Sequence, residues 1–414
     1  MSRANRSGRD EVDLHAVKDL IEEAVDLRRI ETGRRRQELV CQGQSPDYAP
    51  LLLGHTEPFL GDSRSNREYK LAEHVIAGGV TVPEIYDYLH FGLAEQIASP
   101  KVMLYEALWE LLGWARTDSD TQLSVRPNLS WALPTCFGMK YVVSEEGTVW
   151  FPDPITIDRA LEVDTDELHK LGEMPRVFEH LQFLRENVPE GVRISCPTAV
   201  GPLSQADILL GIDIWYLFYD QPEKVRRLIE KIADATAKLL KLQKDIVGEP
   251  IDSMWTGCLF MSNGGVKIGN DSVVMLSPDM LREFVMPSIA SLCRSFSGGY
   301  HHSCGHFPDH LKVVNETPQI TTLNMGEPER WNLPETVGEM HRNGKLYYGG
   351  WPRQPGEAIE DYLRRGVELC GPDRNRAILF AMGPTFADKG ADPWPEPAET
   401  MDLWHKIQDE TFPR

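Results

Sequence analysis

A chain of 414 residues and 46.9 kDa is long enough for two average domains or for one large α/β barrel. Hydrophobic residues make up 41% and charged residues 26%, a balance typical of folded globular proteins, which excludes disorder along most of the length. The net charge of −20 and the pI of about 5.1 argue against a general binder of nucleic acid or of an anionic membrane.

The sequence also lacks the marks of a membrane or secreted protein. No apolar run reaches the roughly 18 residues that a membrane-spanning helix needs, and the N-terminus has no apolar core of a secretion signal. The 7 cysteines are scattered, which favours a reducing compartment over a disulfide framework. We therefore expect a cytoplasmic protein that acts on a small molecule, without a nucleic-acid or membrane partner.

The N-terminal 45 residues are predicted to form a helical extension. Asp13 is suited to cap a helix over residues 14–39, whose apolar residues recur on one face. This helix ends in the basic run Arg34-Arg35-Arg36, for which we expect a solvated helix end. The remaining residues, 46–414, are predicted to form one domain.

Short strand-like runs alternate with helical patterns along that domain. Several of these runs are continuously apolar, as expected for parallel strands that are covered on both faces. The predicted strands are residues 48–54, 123–129, 192–200, 266–276, 300–304, 320–325, 345–349 and 377–382.

The segments between the strands carry clear helix signals. Pro222 opens a long helix that Gly248 closes, and Ser277 precedes another. Residues 137–155 are predicted to be an inserted hairpin, and residues 384–397 a proline-rich loop. Eight βα alternations without a break in composition predict a single (β/α)8 TIM barrel with an N-terminal helical extension.

In such a barrel, chemistry is expected at the C-terminal ends of the strands. The richest cluster there is the segment YHHSCGH at residues 300–306. His302 and Cys304 are two residues apart on one strand, so both side chains point to the same side. An imidazole and a thiolate are typical zinc ligands, whereas His301 is expected to pack toward the helices.

Glu327 is the candidate for a third ligand. It follows the next strand, which would deliver it beside Cys304. A helix cap or a salt bridge is an equally good explanation for this carboxylate.

Further candidates lie at other strand ends. Asp271 could bind substrate, orient a ligand or act as a catalytic acid or base, and Asn324 could donate a hydrogen bond to the substrate. His55 ends the first strand, and Trp351 could wall an apolar pocket. For each, a structural role is the alternative, namely a loop cap for Asp271, a hydrogen-bonded rim residue for His55 and core packing for Trp351.

Over residues 46–414 the sequence resembles the uroporphyrinogen decarboxylase superfamily, including its zinc- and cobalamin-linked methyltransferase branch. The stretches that carry the resemblance are GPLSQADILLG (201–211), DQPEKVRRLIEKI (220–232), NDSVVMLSPDMLREFVMP (270–287), HHSCG (301–305), GKLYYGG (344–350) and RAILFAMGP (376–384).

The resemblance implies which branch the chain follows. Decarboxylases of the superfamily have an Arg-rich segment behind the first strand, and residues 54–59 here, GHTEPF, contain no arginine. The methyltransferase branch holds zinc with His-x-Cys, often a Glu just over twenty residues later, and a later Cys. His302, Cys304 and Glu327 match the first three. No Cys stands near residues 381–382, so either the site is a three-ligand zinc with an open position, or Met382 contributes as a weak ligand, or the metal role has drifted. Met382 is also a candidate substrate-binding residue.

Three functions follow as hypotheses. The first is a zinc-dependent methyltransferase that moves a methyl group between a corrinoid protein and a small thiol, within a demethylation system. Because the chain lacks an Asp-x-His-x-x-Gly element, the cobalamin would be carried by a partner protein. The second is a cofactor-independent decarboxylase or lyase that acts on a small carboxylic acid, and the third is a non-catalytic binding subunit. The oligomeric state is left open, with a homodimer as one option.

Overall fold

The computed structural model of the protein describes residues 12–53, 91–144, 147–197, 199–381 and 395–413. Parallel strands in the centre and helices around them dominate this part of the chain. In chain order, the strands are β1 (Leu51–Leu53), β2 (Ser124–Val125), β3 (Val142–Val143), β4 (Val149–Trp150), β5 (Arg193–Ile194), β6 (Ala199–Val200), β7 (Met254–Thr256), β8 (Leu259–Met261), β9 (Val266–Gly269), β10 (Gly299–Ser303), β11 (Ile320–Met325), β12 (Leu346–Gly349) and β13 (Ala377–Ala381).

The helices follow the strands in the alternating order that the sequence predicts. They are α1 (Leu14–Ala24), α2 (Leu27–Cys41), α3 (Leu93–Ala98), α4 (Pro100–Ala115), α5 (Leu133–Cys136), α6 (Ile157–Glu162), α7 (Met174–Asn187), α8 (Pro202–Leu210), α9 (Asp213–Asp220), α10 (Pro222–Val247), α11 (Pro278–Met280), α12 (Met286–Arg294), α13 (Pro308–Asn315), α14 (Leu333–Arg342), α15 (Ile359–Cys370) and α16 (Pro397–Thr411). A π-helical turn, Leu281–Val285, joins α11 to α12, and 3₁₀ turns cover Leu168–Lys170, Asp271–Met275 and Pro328–Arg330.

The strands close into the predicted (β/α)8 barrel. Seven of them pair in the order β1, β13, β12, β11, β10, β9, β6, and β2 pairs with β5, all in parallel. The strand formed by β5 and β6 is interrupted around Cys196 and Pro197, and Pro197 has no N–H to donate to a neighbour. Asp120, just before β2, donates its N–H to the carbonyl of Leu51, which joins β2 to β1.

All eight predicted strands are present, but most are shorter than predicted. The predicted strand 266–276 ends at Gly269, because the chain turns there into the 3₁₀ segment Asp271–Met275. Asp271 therefore belongs to the loop above the barrel and not to the strand. The predicted hairpin in residues 137–155 is confirmed as β3 and β4. Most of the predicted proline-rich loop, residues 384–397, lies outside the described residues.

Side chains along each barrel strand alternate between the interior and the helix layer. Leu52, Tyr300, Leu346 and Ile378 pack inside the barrel, together with residues of the β7–β8 hairpin. The neighbours of these residues, such as Leu51, Ile268, Leu323 and Leu379, pack outward against the helices. Among the helices in the described ranges, none is both long and apolar enough to cross a membrane.

The N-terminal extension differs from its prediction in two ways. The single helix expected over residues 14–39 is two helices, because the Asp26 carboxylate caps α2 by accepting the N–H groups of Arg28 and Arg29. Asp13 caps α1 as predicted.

The basic run is not a solvated helix end. Arg36 is 11% exposed and forms ion pairs with Asp47 and with the buried Asp120, and Arg34 pairs with Glu31 and Glu38. The neighbouring Gln37 is fully buried and bonds the carbonyl of Asp120 and the N–H of Phe260 in β8. Helix α2 thus connects the segment before β2 to the β7–β8 hairpin through the hydrogen bonds of Gln37.

Candidate functional site

Three potential metal ligands meet above the C-terminal ends of β9 and β10. The ligand atoms of Asp271, His302 and Cys304 all lie within 4.8 Å of one another. The His302 Nε2 atom is 3.4 Å from the Cys304 sulfur and 3.7 Å from Asp271 Oδ1. Asp271 Oδ1 also accepts the backbone N–H of Cys304 at 2.8 Å. A carboxylate, an imidazole and a thiol therefore converge at the end of the barrel where chemistry is expected.

The orientation of His302 is set by the two neighbouring strands. Asn324 donates its Nδ2–H to the carbonyl of Tyr348 at 2.6 Å, and its Oδ1 lies 2.5 Å from His302 Nδ1. Because a carbonyl can only accept, the amide nitrogen must face Tyr348 and the amide oxygen must face the imidazole. His302 Nδ1 therefore carries a proton, and Nε2, which faces Asp271 and Cys304, is the ring nitrogen that a neutral imidazole would offer to a metal.

Cys304 is exposed, and its surroundings disfavour a free thiolate. Partial burial of the sulfur and the negative charges of Asp271 and Glu327 raise the pKa of this thiol above its ordinary value. The same negative charges favour a cation. A bound divalent metal would reverse the effect, because it stabilises the thiolate as a ligand.

Glu327 follows β11, as predicted, but does not belong to the group of three. Its carboxylate accepts a hydrogen bond from Arg330 at 2.7 Å, three residues along the same turn. Glu327 therefore forms a salt bridge with Arg330, which is one of the two structural alternatives considered for it. The negative charge of Glu327 nevertheless contributes to the raised pKa of Cys304.

The remaining predicted site residues have different placements. Asn324 is at the site, but it contacts His302 and the Tyr348 backbone. Trp351 is 2% exposed, stacks on Tyr362 at 4.5 Å and donates its N–H to the Tyr362 carbonyl. Trp351 thus has no exposed ring face with which to make the predicted substrate contact. His55 and Met382 lie outside the described residues.

The other histidines of the cluster have structural surroundings. His301 is buried toward the helix layer, as predicted, and burial lowers the pKa of its imidazole to about 4. His310 is buried and bonds the carbonyl of Leu276 through Nε2, so it does not line the mouth of the barrel. His306 packs edge-on against Trp331.

The sequence reasoning missed the polar residues of the barrel interior. Lys267 pairs in register with Tyr300, directly below the pair formed by Gly269 and His302. The Cys258 thiol lies 3.4 Å from the Tyr348 hydroxyl inside the barrel. The two-residue alternation along β9 could have predicted an inward-facing Lys267, because this residue stands between two outward-facing apolar residues.

Comparison with known proteins agrees with this architecture. The sequence pattern of the uroporphyrinogen decarboxylase (URO-D) family matches residues 131–343, just over half of the chain. A solved structure of a methyltransferase from Methanosarcina mazei superimposes with a TM-score of 0.57 at 15% sequence identity, and the match covers 92% of this chain and 98% of the other. At this identity the likeness shows the fold. No curated protein matches the sequence. The family match and the shared barrel confirm the resemblance seen in the sequence, and the chain belongs to the uroporphyrinogen decarboxylase family.

Proposed function

We propose that the protein is a zinc-dependent methyltransferase that moves a methyl group between a corrinoid protein and a small thiol, as part of a demethylation system. The observation that carries this proposal is the meeting of Asp271, His302 and Cys304 at the C-terminal end of the barrel. The structural likeness to a methyltransferase supports it further. The absence of a His-containing corrinoid motif in this sequence suggests a separate cobalamin carrier.

The three side chains fit a catalytic zinc site. Nitrogen, sulfur and carboxylate oxygen are the ligand types that zinc takes, and three protein ligands leave a fourth position for a substrate. Asn324 presents the imidazole in the tautomer that a metal requires. Zinc bound there would lower the pKa of a substrate thiol, so that a nucleophilic thiolate exists at neutral pH.

Asp271 is the third ligand that the geometry favours, and Glu327 is the alternative. Asp271 already lies at the site and fixes the backbone of Cys304. Glu327 would have to leave Arg330 to reach a metal held by His302 and Cys304. The catalytic role predicted for Asp271 would then be replaced by metal binding.

Metal content measured by mass spectrometry tests the site. We expect about one zinc per chain in the protein purified without chelator, and its loss in His302→Ala, Cys304→Ser and Asp271→Asn. Glu327→Gln is the matched control, because it removes a carboxylate from the same mouth and should retain the metal. Retention in Asp271→Asn with loss in Glu327→Gln would restore Glu327 as the ligand. A metal-free wild-type protein after zinc is supplied would refute the zinc proposal.

Activity is tested with free methylcobalamin and a panel of small thiols, followed by the change in corrinoid absorbance. Demethylation of the corrinoid by the wild-type protein, lost in Cys304→Ser, is the expected result. Release of carbon dioxide from small carboxylic acids without any corrinoid would instead support the decarboxylase hypothesis. If His302→Ala leaves every measured activity unchanged, the binding-subunit hypothesis gains support.

A further inference from the structure

Lys267 is a cationic side chain inside the barrel with no role in the site described above. It is the second residue of β9, where the flanking Val266 and Ile268 are fully buried toward the helices. Its ammonium lies over the Tyr300 ring, 5.4 Å from the centroid. Lys267 therefore faces the interior, one inward position below Gly269 and His302.

No described carboxylate neutralises this ammonium. Among the described residues, none forms an ion pair with Lys267. Glu249 lines the same small cavity, but Lys244 and the Trp255 N–H already bind its carboxylate. Burial, with a smaller effect of the Arg126 charge, lowers the pKa of Lys267 to about 8. A cation held in such surroundings costs free energy unless an anion joins it.

Lys267 is partly exposed, and the buried Lys345 shows what a structural role looks like for a lysine in this chain. Lys345 is 3% exposed, and burial lowers its pKa to about 8 as well. Its ammonium donates to the carbonyl groups of Thr317 and Ile320. Lys345 thus has protein acceptors for its protons, whereas the contact of Lys267 is the face of an aromatic ring.

Gly269 stands between Lys267 and the metal-ligand cluster on the inner face of the barrel. Gly269 lies on the same face of β9, and a Cβ atom added there would meet nothing within 4 Å. Gly269 pairs in register with His302, two residues along the strand from Lys267, a spacing of roughly 7 Å. The Tyr300 and Tyr348 rings, in edge contact at 5.7 Å, add an aromatic surface to this part of the interior.

We propose that Lys267 binds the carboxylate of a small organic acid, whose apolar body lies along Gly269 and whose other end reaches His302 and Cys304. This inference names a substrate class for the proposed function. Only the placement of the reacting end of the acid at His302 and Cys304 depends on that function. The ammonium of Lys267 suits one carboxylate group, with which it would form a charge-assisted hydrogen bond.

The test is the binding of benzoate and hexanoate, each compared with its uncharged primary amide, measured by ligand-observed NMR on the full chain. In the wild-type protein we expect the acid to bind at least about tenfold more tightly than its amide. Lys267→Met should abolish this preference, and Lys267→Arg should keep part of it. Lys345→Met, the matched control, should keep it in full.

Thermal unfolding provides a second measurement. Lys267→Met should unfold at the same temperature as the wild type or higher, since it removes a partly buried cation that has no acid partner among the described residues, and Lys345→Met should unfold at a lower temperature. The inference is overturned if acid and amide bind the wild type equally or not at all, or if Lys267→Met keeps the preference or destabilises the chain as Lys345→Met does. Cys304→Ser separates this test from the proposed function, because it should lose methyl transfer and still bind benzoate.

Discussion

The amide of Asn324 links the fold to the chemistry of the candidate site. Its carbonyl partner belongs to the backbone of β12, so its orientation depends on strand pairing and not on a flexible side chain. Through that orientation it sets which nitrogen of His302 carries the proton. Asn324, which the sequence suggested as a substrate contact, is therefore a positioning residue for His302.

Replacing Asn324 by alanine should weaken zinc binding by about 10- to 100-fold, because His302 loses the partner that fixes its ring and tautomer. The measurement is a competitive titration against a chromophoric zinc chelator. Asn343→Ala makes the same change at an exposed position after α14 and should leave zinc affinity unchanged. Equal affinity in Asn324→Ala and the wild type would contradict the positioning role.

At the residue scale, the sequence predicted that His302 and Cys304 lie together, but not which carboxylate lies beside them. The spacing of His302 and Cys304 on one strand was enough to bring them together, since a strand repeats every two residues. The places of Asp271 and Glu327 could not be predicted, because both stand in turns after strands. In those turns the direction of the carboxylate depends on local partners, the Cys304 N–H for Asp271 and the Arg330 guanidinium for Glu327.

At the scale of elements, the same arginine run contains two different kinds of ion pair. Arg34 pairs across the surface of α2 with Glu31 and Glu38, whose side chains are 65% and 34% exposed. Arg36 pairs with Asp120, whose side chain is 3% exposed and also accepts the N–H of Leu51 in β1. The sequence contains three consecutive arginines and does not distinguish them, because Asp120, the buried partner of Arg36, is 84 residues away.

Arg36→Met should lower the free energy of unfolding by about 3 kcal/mol, because it leaves the Asp120 carboxylate buried without its cation. Arg34→Met, the matched control, should lower it by less than about 1 kcal/mol, as is usual for exposed pairs. Urea unfolding followed by circular dichroism measures both. Equal losses of unfolding free energy in the two variants would show that burial does not make the Arg36–Asp120 pair more important for stability than the exposed pairs of Arg34.

Strand prediction succeeded for a general reason. Each barrel strand is covered on both faces, so its core is a short apolar run that stands out between polar turns. The ends of the strands were less predictable where the chain leaves the sheet without a change in hydrophobicity. After Gly269, for example, the chain enters a 3₁₀ turn in which Val273 is still buried. The break between α1 and α2 was missed because the apolar repeat continues across it and only the Asp26 cap marks it.

At the scale of the whole molecule, the two ends of the chain meet on the first strand. Trp404 and Gln408 of α16 bond the backbone of Ala49, just before β1. Tyr48 stacks on His405 at 4.0 Å, and the Arg36 guanidinium lies over the Tyr48 ring at 5.4 Å. The N-terminal extension and the C-terminal helix therefore stabilise the same segment of the barrel, which makes the extension part of the folded unit.

This junction should make the fold sensitive to acid. Burial, followed by the charge of Arg36, lowers the pKa of His405 to about 4, and its Nε2 is buried without a partner among the described residues. The unfolded chain has a histidine pKa of about 6.5, so below that pH the unfolded state binds the proton more readily. The stabilising contribution of neutral His405 is present above pH 6.5 and is lost as the pH falls toward 4.

The wild-type protein should therefore lose about 1–2 kcal/mol more stability than His405→Leu between pH 7 and pH 4.5, a value reduced for the partial exposure of the ring. Urea unfolding at a series of pH values gives this difference, and comparing slopes removes the constant loss of the Tyr48 stacking. His15→Leu, at a side chain that is 85% exposed in α1, should follow the wild-type slope. Parallel slopes for wild type and His405→Leu would show that His405 protonates as easily in the folded protein as in the unfolded chain, and that the junction of the two chain ends tolerates its charge.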